Sequence, residues 1–200
     1  MQKSIFNTTY QQEDLTSKIV VSLERISEAF KSLLWDYAKE IGLSPIQIQI
    51  LIFIAYHKSD YCKVSYLAKE FNVTKPTISD AIRTMNNKEL IQKDFSERDK
   101  RSYTISLTTK GEKVVQETKN FANPIRNEIE KVNQQELETL YQSLNKVIYN
   151  LNTIGILTVQ RTCYNCKFYQ KSGKTHFCRL LEAPLLNSDI RVDCPEYNDK

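Results

Sequence analysis

Val64-Ser65-Tyr66-Leu67-Ala68-Lys69-Glu70-Phe71-Asn72-Val73-Thr74-Lys75-Pro76-Thr77-Ile78-Ser79-Asp80-Ala81-Ile82-Arg83-Thr84-Met85 is the stretch that decides the fold. Val64, Leu67, Ala68 and Phe71 stand at i, i+3, i+4 and i+7, one apolar stripe along a helix. Ile78, Ala81, Ile82 and Met85 repeat the spacing, and only Asn72-Val73-Thr74 separates the stripes. Two short amphipathic helices joined by so tight a turn predict a helix-turn-helix, which places its second helix in the DNA major groove. The small Ala68 suits the helix crossing, and Asn72 tolerates a left-handed turn. Thr74 is positioned to cap the second helix, with Pro76 in its first turn, where a missing N–H does no harm. A plain helical hairpin shares these stripes and is the alternative; DNA binding is the expectation from this stretch, and the residues beyond Met85 strengthen it.

Leu90-Ile91 leads into Gln92-Lys93-Asp94-Phe95 and then the polar run Ser96-Glu97-Arg98-Asp99-Lys100-Arg101. Ser102-Tyr103-Thr104-Ile105-Ser106-Leu107 alternates polar and apolar, the pattern of a half-buried strand. Strand, charged tip and strand after a recognition helix predict a β-wing. Leu90-Ile91, Ser96, Asp99-Lys100-Arg101 and Leu107-Thr108-Thr109-Lys110-Gly111 together resemble the winged-helix signature of MarR-type transcriptional regulators. The family's Asp-x-Arg motif falls on Asp99 and Arg101. The resemblance runs from roughly Leu15 to Ile154, and its flanks match in pattern only.

With Ile78, Ala81, Ile82 and Met85 inward, the second helix turns Thr77, Asp80, Arg83, Thr84 and Asn87 outward, with Lys75 and Ser79 at the margins. Residues near a recognition helix's N-terminus reach base edges best, so Lys75, Thr77, Ser79 and Arg83 are the candidate DNA contacts. Asp80 either accepts a hydrogen bond from cytosine or restrains Arg83 at i+3. At the wing, Arg101 is expected to enter a minor groove, with Arg98 and Lys100 near phosphates and Asp99 holding the arginine. The alternative for Asp99 and Arg101 is a plain surface pair.

The flanks predict long helices. Leu15, Ile19, Leu23, Ile26, Phe30, Leu33, Leu34, Tyr37 and Ile41 recur at three- and four-residue steps, as do Leu137, Leu140, Tyr141, Leu144, Val147, Ile148, Leu151 and Ile154. Another helix starts near Thr109 and should bend or break at Asn123-Pro124. Such stripes, taken alone, are more often core than interface. The MarR resemblance instead implies a homodimer through the N- and C-terminal helices, which reads a roughly palindromic site with two recognition helices about one DNA turn apart. It also implies a small aromatic effector bound between the dimer and DNA-binding parts. The fold class is therefore mainly α with a small β-wing: a winged helix-turn-helix in a MarR-like helical dimer, plus a small cysteine-rich C-terminal module. The expected organisation is a MarR-like domain over 1–158, with the winged helix at about 44–108, dimerisation helices at about 13–41 and 109–158, and a cysteine-rich metal-binding tail over 159–200.

The chain has 200 residues and a net charge of +4, enough for one core and an annex. Between Tyr61 and Lys119 there are 12 Lys and Arg against 8 Asp and Glu, so this segment carries the excess. That suits a surface facing phosphates, although a charged face is usually just solvated. No apolar run approaches the length of a membrane span, and no signal-peptide pattern opens the chain, so a cytoplasmic protein with no membrane partner is expected.

Four of the five cysteines lie in the tail: Cys163, Cys166, Cys178 and Cys194, with His176 two residues before the third. Cys-x2-Cys is a chelating knuckle, and two further thiolates complete a tetrahedral shell. Cytosolic thiols stay reduced, which disfavours disulfides. A tail of some forty residues holds too little core to fold alone, and a metal would fix it, with Tyr164, Phe168, Tyr169, Phe177 and Tyr197 covering the site. Zinc is the first expectation, with His176 able to replace one cysteine. A [4Fe–4S] cluster is the close alternative, because Cys163-Tyr164-Asn165-Cys166-Lys167-Phe168-Tyr169, Cys178-x-Leu180 and Cys194-x2-Tyr197 resemble the cluster loop of high-potential iron–sulfur proteins. Cys62 reads as a small buried hydrophobe.

Catalysis finds little support: His57 and His176 lie far apart, with no nucleophile elbow, phosphate loop or paired acids in a motif context. A redox or electron-transfer protein using the cysteines is the rival class, but it leaves the helix-turn-helix and wing unexplained. The expectation is a non-enzymatic, sequence-specific DNA-binding regulator.

Overall fold

The computed structural model describes residues 4–95, 102–173 and 175–200. Its centre is helix α3 (Pro45–Tyr56), whose Ile48, Ile50, Leu51, Phe53 and Ile54 are all buried. A helix apolar on every side must be wrapped, and here α2 (Leu15–Ile41), α5 (Lys75–Asn87), strand β2 (Tyr103–Leu107) and α6 (Thr109–Thr118) pack around it. Pro45 sits in its first turn, and the Gln47 side chain reaches back to accept from the Ser44 N–H at 2.9 Å. Before it, the short α1 (Thr8–Glu13) leads into α2, which Asp14 caps by accepting from the Ser17 N–H at 2.8 Å. Gly42, at φ 63°, ends α2 in the left-handed region and turns the chain into α3.

Helix α4 (Val64–Glu70) and α5 form the expected helix-turn-helix. Leu67, Ala68, Ile78, Ala81, Ile82 and Met85 are buried beneath it, as the two stripes require. Asn72 adopts φ 52°, the left-handed conformation its side chain tolerates. Strand β1 (Ile91–Phe95) pairs antiparallel with β2, Ile91 opposite Leu107 and Phe95 opposite Tyr103, and makes the stem of the wing. The wing tip, with Arg98, Asp99, Lys100 and Arg101, lies outside the described residues.

After the wing, α6 ends at Thr118, and α7 (Asn123–Ile129) begins with Pro124 in its first turn. The predicted break at Asn123-Pro124 therefore lies several residues earlier: proline cannot continue a helix, but it starts one readily. Helix α8 (Gln134–Thr153) follows, and then antiparallel strands β3 (Tyr169–Ser172), β4 (Thr175–Cys178) and β5 (Ala183–Leu185), in that spatial order.

The two long helices keep much of their apolar stripe outside the core. On α2, Leu34 and Ala38 are buried, whereas Leu15, Ile19, Leu23, Ile26 and Phe30 stay exposed. On α8, Leu140 and Val147 are exposed too, and they share one apolar groove with Ile19, Leu23 and Ile26 of α2. No single helix among the described residues is long and apolar enough to cross a membrane.

Candidate nucleic-acid interface and the cysteine segment

The recognition helix opens on Thr74, whose Oγ1 accepts from the Thr77 N–H at 3.3 Å and shares a hydrogen bond with the Thr77 hydroxyl at 2.8 Å. Burial of the four apolar residues beneath leaves Lys75, Thr77, Ser79 and Arg83 exposed on one side. Asp80 Oδ1 holds Arg83 Nη2 at 2.7 Å, which favours the restraining role over direct base reading. Both side chains are solvent-facing, so the pair contributes little stability and Arg83 exchanges partners cheaply. At the helix's far end Lys88 Nζ donates to the Gly42 carbonyl at 2.7 Å, tying α5 to the start of α3.

The wing is anchored at its base. Thr108 donates its hydroxyl hydrogen to the Glu89 carbonyl at 2.6 Å, and the same oxygen accepts from the Gly111 N–H at 3.1 Å. Gly111 passes so close to β1 that a Cβ there would stand 2.0 Å from the Leu90 oxygen. Only glycine permits that approach, which gives the Leu107-Thr108-Thr109-Lys110-Gly111 run a physical reason. Along the stem, Lys93 Nζ lies 4.9 Å from the centre of the Tyr103 ring, and Ser106 donates to Asp94 at 2.6 Å.

The structure also reveals a buried charge centre that the sequence did not advertise. Arg161 is 5% exposed and makes two forked pairs. Its Nη1 and Nη2 reach Glu70 at 2.6 and 3.1 Å, and its Nε and Nη2 reach Asp193 at 2.6 and 2.8 Å. Nη1 also donates to the Tyr66 hydroxyl at 2.9 Å, and the guanidinium lies over Phe53 and Tyr61. Asp193 bonds His57 Nε2 at 2.8 Å, and the His57 ring stacks on Phe53 at 3.8 Å. Burial alone would raise the Asp193 pKa, yet the bonds from Arg161 and His57 hold its carboxyl well below the usual range. These contacts join the C-terminal segment to α3 and to α4, the first helix of the helix-turn-helix.

The cysteines are next to this centre. Cys163, Cys178 and Cys194 line one pocket with Leu180, Leu181 and Leu185. The Arg191 N–H donates to Cys163 Sγ at 3.3 Å, and Arg191 Nη1 to Cys194 Sγ at 3.5 Å. Burial raises the Cys163 thiol pKa, the Arg191 N–H opposes the shift, and the neighbouring Cys194, Cys178 and Cys166 add to it. All five cysteines carry free thiols. Among the described residues, no group of three or more His, Cys, Asp or Glu side chains is arranged to hold a single metal ion.

His176 is buried with its Nδ1 bonded to the Tyr169 hydroxyl at 2.5 Å, and it does not line the thiol pocket. Tyr169 stacks on it, Tyr164 meets both rings edge-on and Tyr149 of α8 meets Tyr164 edge-on, so leucines rather than the expected aromatics line the pocket. Cys62 is 1% exposed in the main core, and burial pushes its thiol up to about 11, the state of an inert core residue.

Residues 41–102 match the sequence model of the MarR family. The chain is 31% identical over 104 residues to the HTH-type transcriptional repressor YetL of Bacillus subtilis (strain 168), covering 52% of this chain and 62% of that protein. It thus spans about three fifths of the length of this curated relative. Among solved structures, the S. aureus MepR–DNA complex superposes with a TM-score of 0.59 at 24% identity, covering 66% of this chain and 97% of that one. The transcriptional regulator PA3341 gives 0.58 at 23%, covering 68% of this chain and 98% of that one. Residues 41–102 thus resemble the MarR family, and the chain shares the fold of these solved regulators, mainly helical with a small β-hairpin wing.

Proposed function

We propose that this chain is a MarR-family transcriptional regulator, not an enzyme, that binds double-stranded DNA as a homodimer on a pseudo-palindromic site. The observation that carries this reading is the helix-turn-helix itself, with an apolar underside buried in the core and a polar, basic outer face left free. MepR, of the same fold, is known in complex with DNA, and YetL is described as a repressor. Lys75, Thr77, Ser79 and Arg83 read the major groove from α5. Arg101 reaches a flanking minor groove, Asp99 steadies it, and Arg98 and Lys100 contact phosphates. The exposed stripes of α2 and α8 form the dimer interface, since a contiguous apolar surface of this kind is what a second copy would cover. A small aromatic effector suits the apolar groove between α2 and α7, lined by Ile26, Leu33, Pro124, Ile125 and Ile129.

A duplex selected from a randomised pool provides the test. Affinity should fall steeply with salt, because each neutralised phosphate releases counterions. Arg83→Ala should relax preference at one position per half-site, and Arg101→Ala should weaken binding through the flanks. Selection that returns no enriched sequence, or binding insensitive to salt, would refute the reading.

A further inference from the structure

The C-terminal segment is held on two sides, by α8 and by the helix-turn-helix. Among the described residues, α8 packs most closely on the Asn187–Asp189 turn of this segment, and not comparably on α3, α4 or α5. One face of α8 carries Tyr141, Tyr149 and Asn152, and all three meet the segment. The Tyr141 hydroxyl donates to the carbonyl of the buried Ile190, and the Tyr149 ring meets Tyr164 edge-on. Asn152 donates to the Leu157 carbonyl at 2.7 Å and accepts from Asn165 at 3.0 Å.

On its other side the segment grips α4 and the end of α3. Arg161 forks onto Glu70, the last residue of α4, and donates to Tyr66 one turn earlier. The Thr158 hydroxyl donates to the Lys69 carbonyl between them. Just past α3, His57 bonds Asp193 and Lys58 pairs with Glu196 at 3.2 Å. Backbone bonds join the two sides, with the Cys163 N–H on the Arg191 carbonyl at 3.2 Å and the Cys194 N–H on the Arg161 carbonyl at 3.0 Å. Most exposed pairs would yield easily, but Arg161 is buried and both of its forks are made at once. Helix α2 seats on the winged-helix core through Leu34 and Ala38 near its C-terminal end. A single seat of this kind leaves a hinge, and a second tether at α4 removes it.

We propose that the C-terminal segment is a brace between α8 and α4, and that Arg161 is the positioning residue through which it sets the separation of the two recognition helices. The separation half rests on the reading of the chain as a DNA-binding dimer; the brace half does not. Two-fold symmetry doubles any tilt of the helix-turn-helix, so a loosened brace shows first as tolerance of wrongly spaced half-sites. Neither Arg161 nor Glu70 touches DNA; they act through the placement of α4 and α5.

The experiment compares the full chain with two variants that open opposite ends of the brace: Glu70→Gln at α4, and the Tyr141→Phe, Asn165→Ala double variant at α8. Each is titrated with three duplexes from the selected site: a single half-site, the full site, and the full site with its halves moved apart by about two base pairs. The parent should favour the correct spacing by about tenfold or more. Both variants should shrink that ratio to about threefold or less while binding the single half-site within about twofold of the parent. An unchanged ratio in both overturns the positioning role. Equal losses on all three duplexes mark a merely structural role and overturn it too. Amide exchange in α4 gives a readout without DNA: both variants should speed it severalfold, and unchanged exchange overturns the brace. Failure of the parent to bind any duplex refutes the DNA reading, while the exchange rates still decide the brace.

Discussion

Replacing Gly111 by alanine tests whether the wing is seated on α6 as described. The added Cβ would stand 2.0 Å from the Leu90 oxygen and 3.0 Å from its carbonyl carbon. An ordinary carbon–oxygen contact is about 3.3 Å or longer, so the two backbones must separate by roughly 1 Å or more. That oxygen also accepts the Thr108 N–H at 3.1 Å, a bond the separation would break. Overpacking costs about 1–3 kcal/mol and the lost bond about 1 kcal/mol. Alanine's better helix propensity returns only about 0.5–1 kcal/mol. The net is a destabilisation of about 2 kcal/mol, or roughly 4–8 °C in Tm for a chain of this size. Circular dichroism melts of Gly111→Ala beside the exposed control Lys113→Ala would measure it. A Gly111→Ala protein melting at or above the parent temperature would refute the close approach of α6 to β1.

Two further substitutions probe the charge centre and the apolar stripes. Arg161→Met strands the Glu70 and Asp193 carboxylates and should cost about 3 kcal/mol in urea unfolding, at the low end for a buried pair because Asp193 is 44% exposed; a cost under about 1 kcal/mol would show the centre to be a passive surface pair. Leu23→Glu charges an exposed position in the groove between α2 and α8 and should convert a dimer to a monomer in sedimentation while hardly changing the monomer's fold; a variant that stays dimeric places the interface elsewhere.

Much of the fold was legible because the DNA-binding unit is built from local patterns. The stripes Val64–Phe71 and Ile78–Met85 are helical periodicity, and β2 is simple alternation, so both appear in the sequence without knowledge of distant partners. The glycine at 111 appeared only as part of a signature; its cause, the Leu90 carbonyl, is visible only in three dimensions. The proline at 124 misled in position because one residue type both stops and starts helices. The long stripes of α2 and α8 were ambiguous for a different reason. A face that packs on its own core and one that packs on another chain carry the same spacing, and only burial separates Leu34 from Leu23.

The charge centre was invisible for a deeper reason. Arg161 sits in Val159-Gln160-Arg161-Thr162, where a lone arginine reads as a solvated surface residue, and its partners are 91 and 32 positions away. Burying that guanidinium is costly unless both carboxylates are held in forked geometry at once. Such a centre is thus all-or-none: it persists only while Cys163's stretch and Cys194's stretch lie side by side. Those two stretches are also where the thiols are. Two of the thiols and the residues that grip the helix-turn-helix are therefore neighbours in sequence, one or two residues apart. Separating the two stretches would therefore pull Arg161 away from Asp193 directly, with no relay through the core.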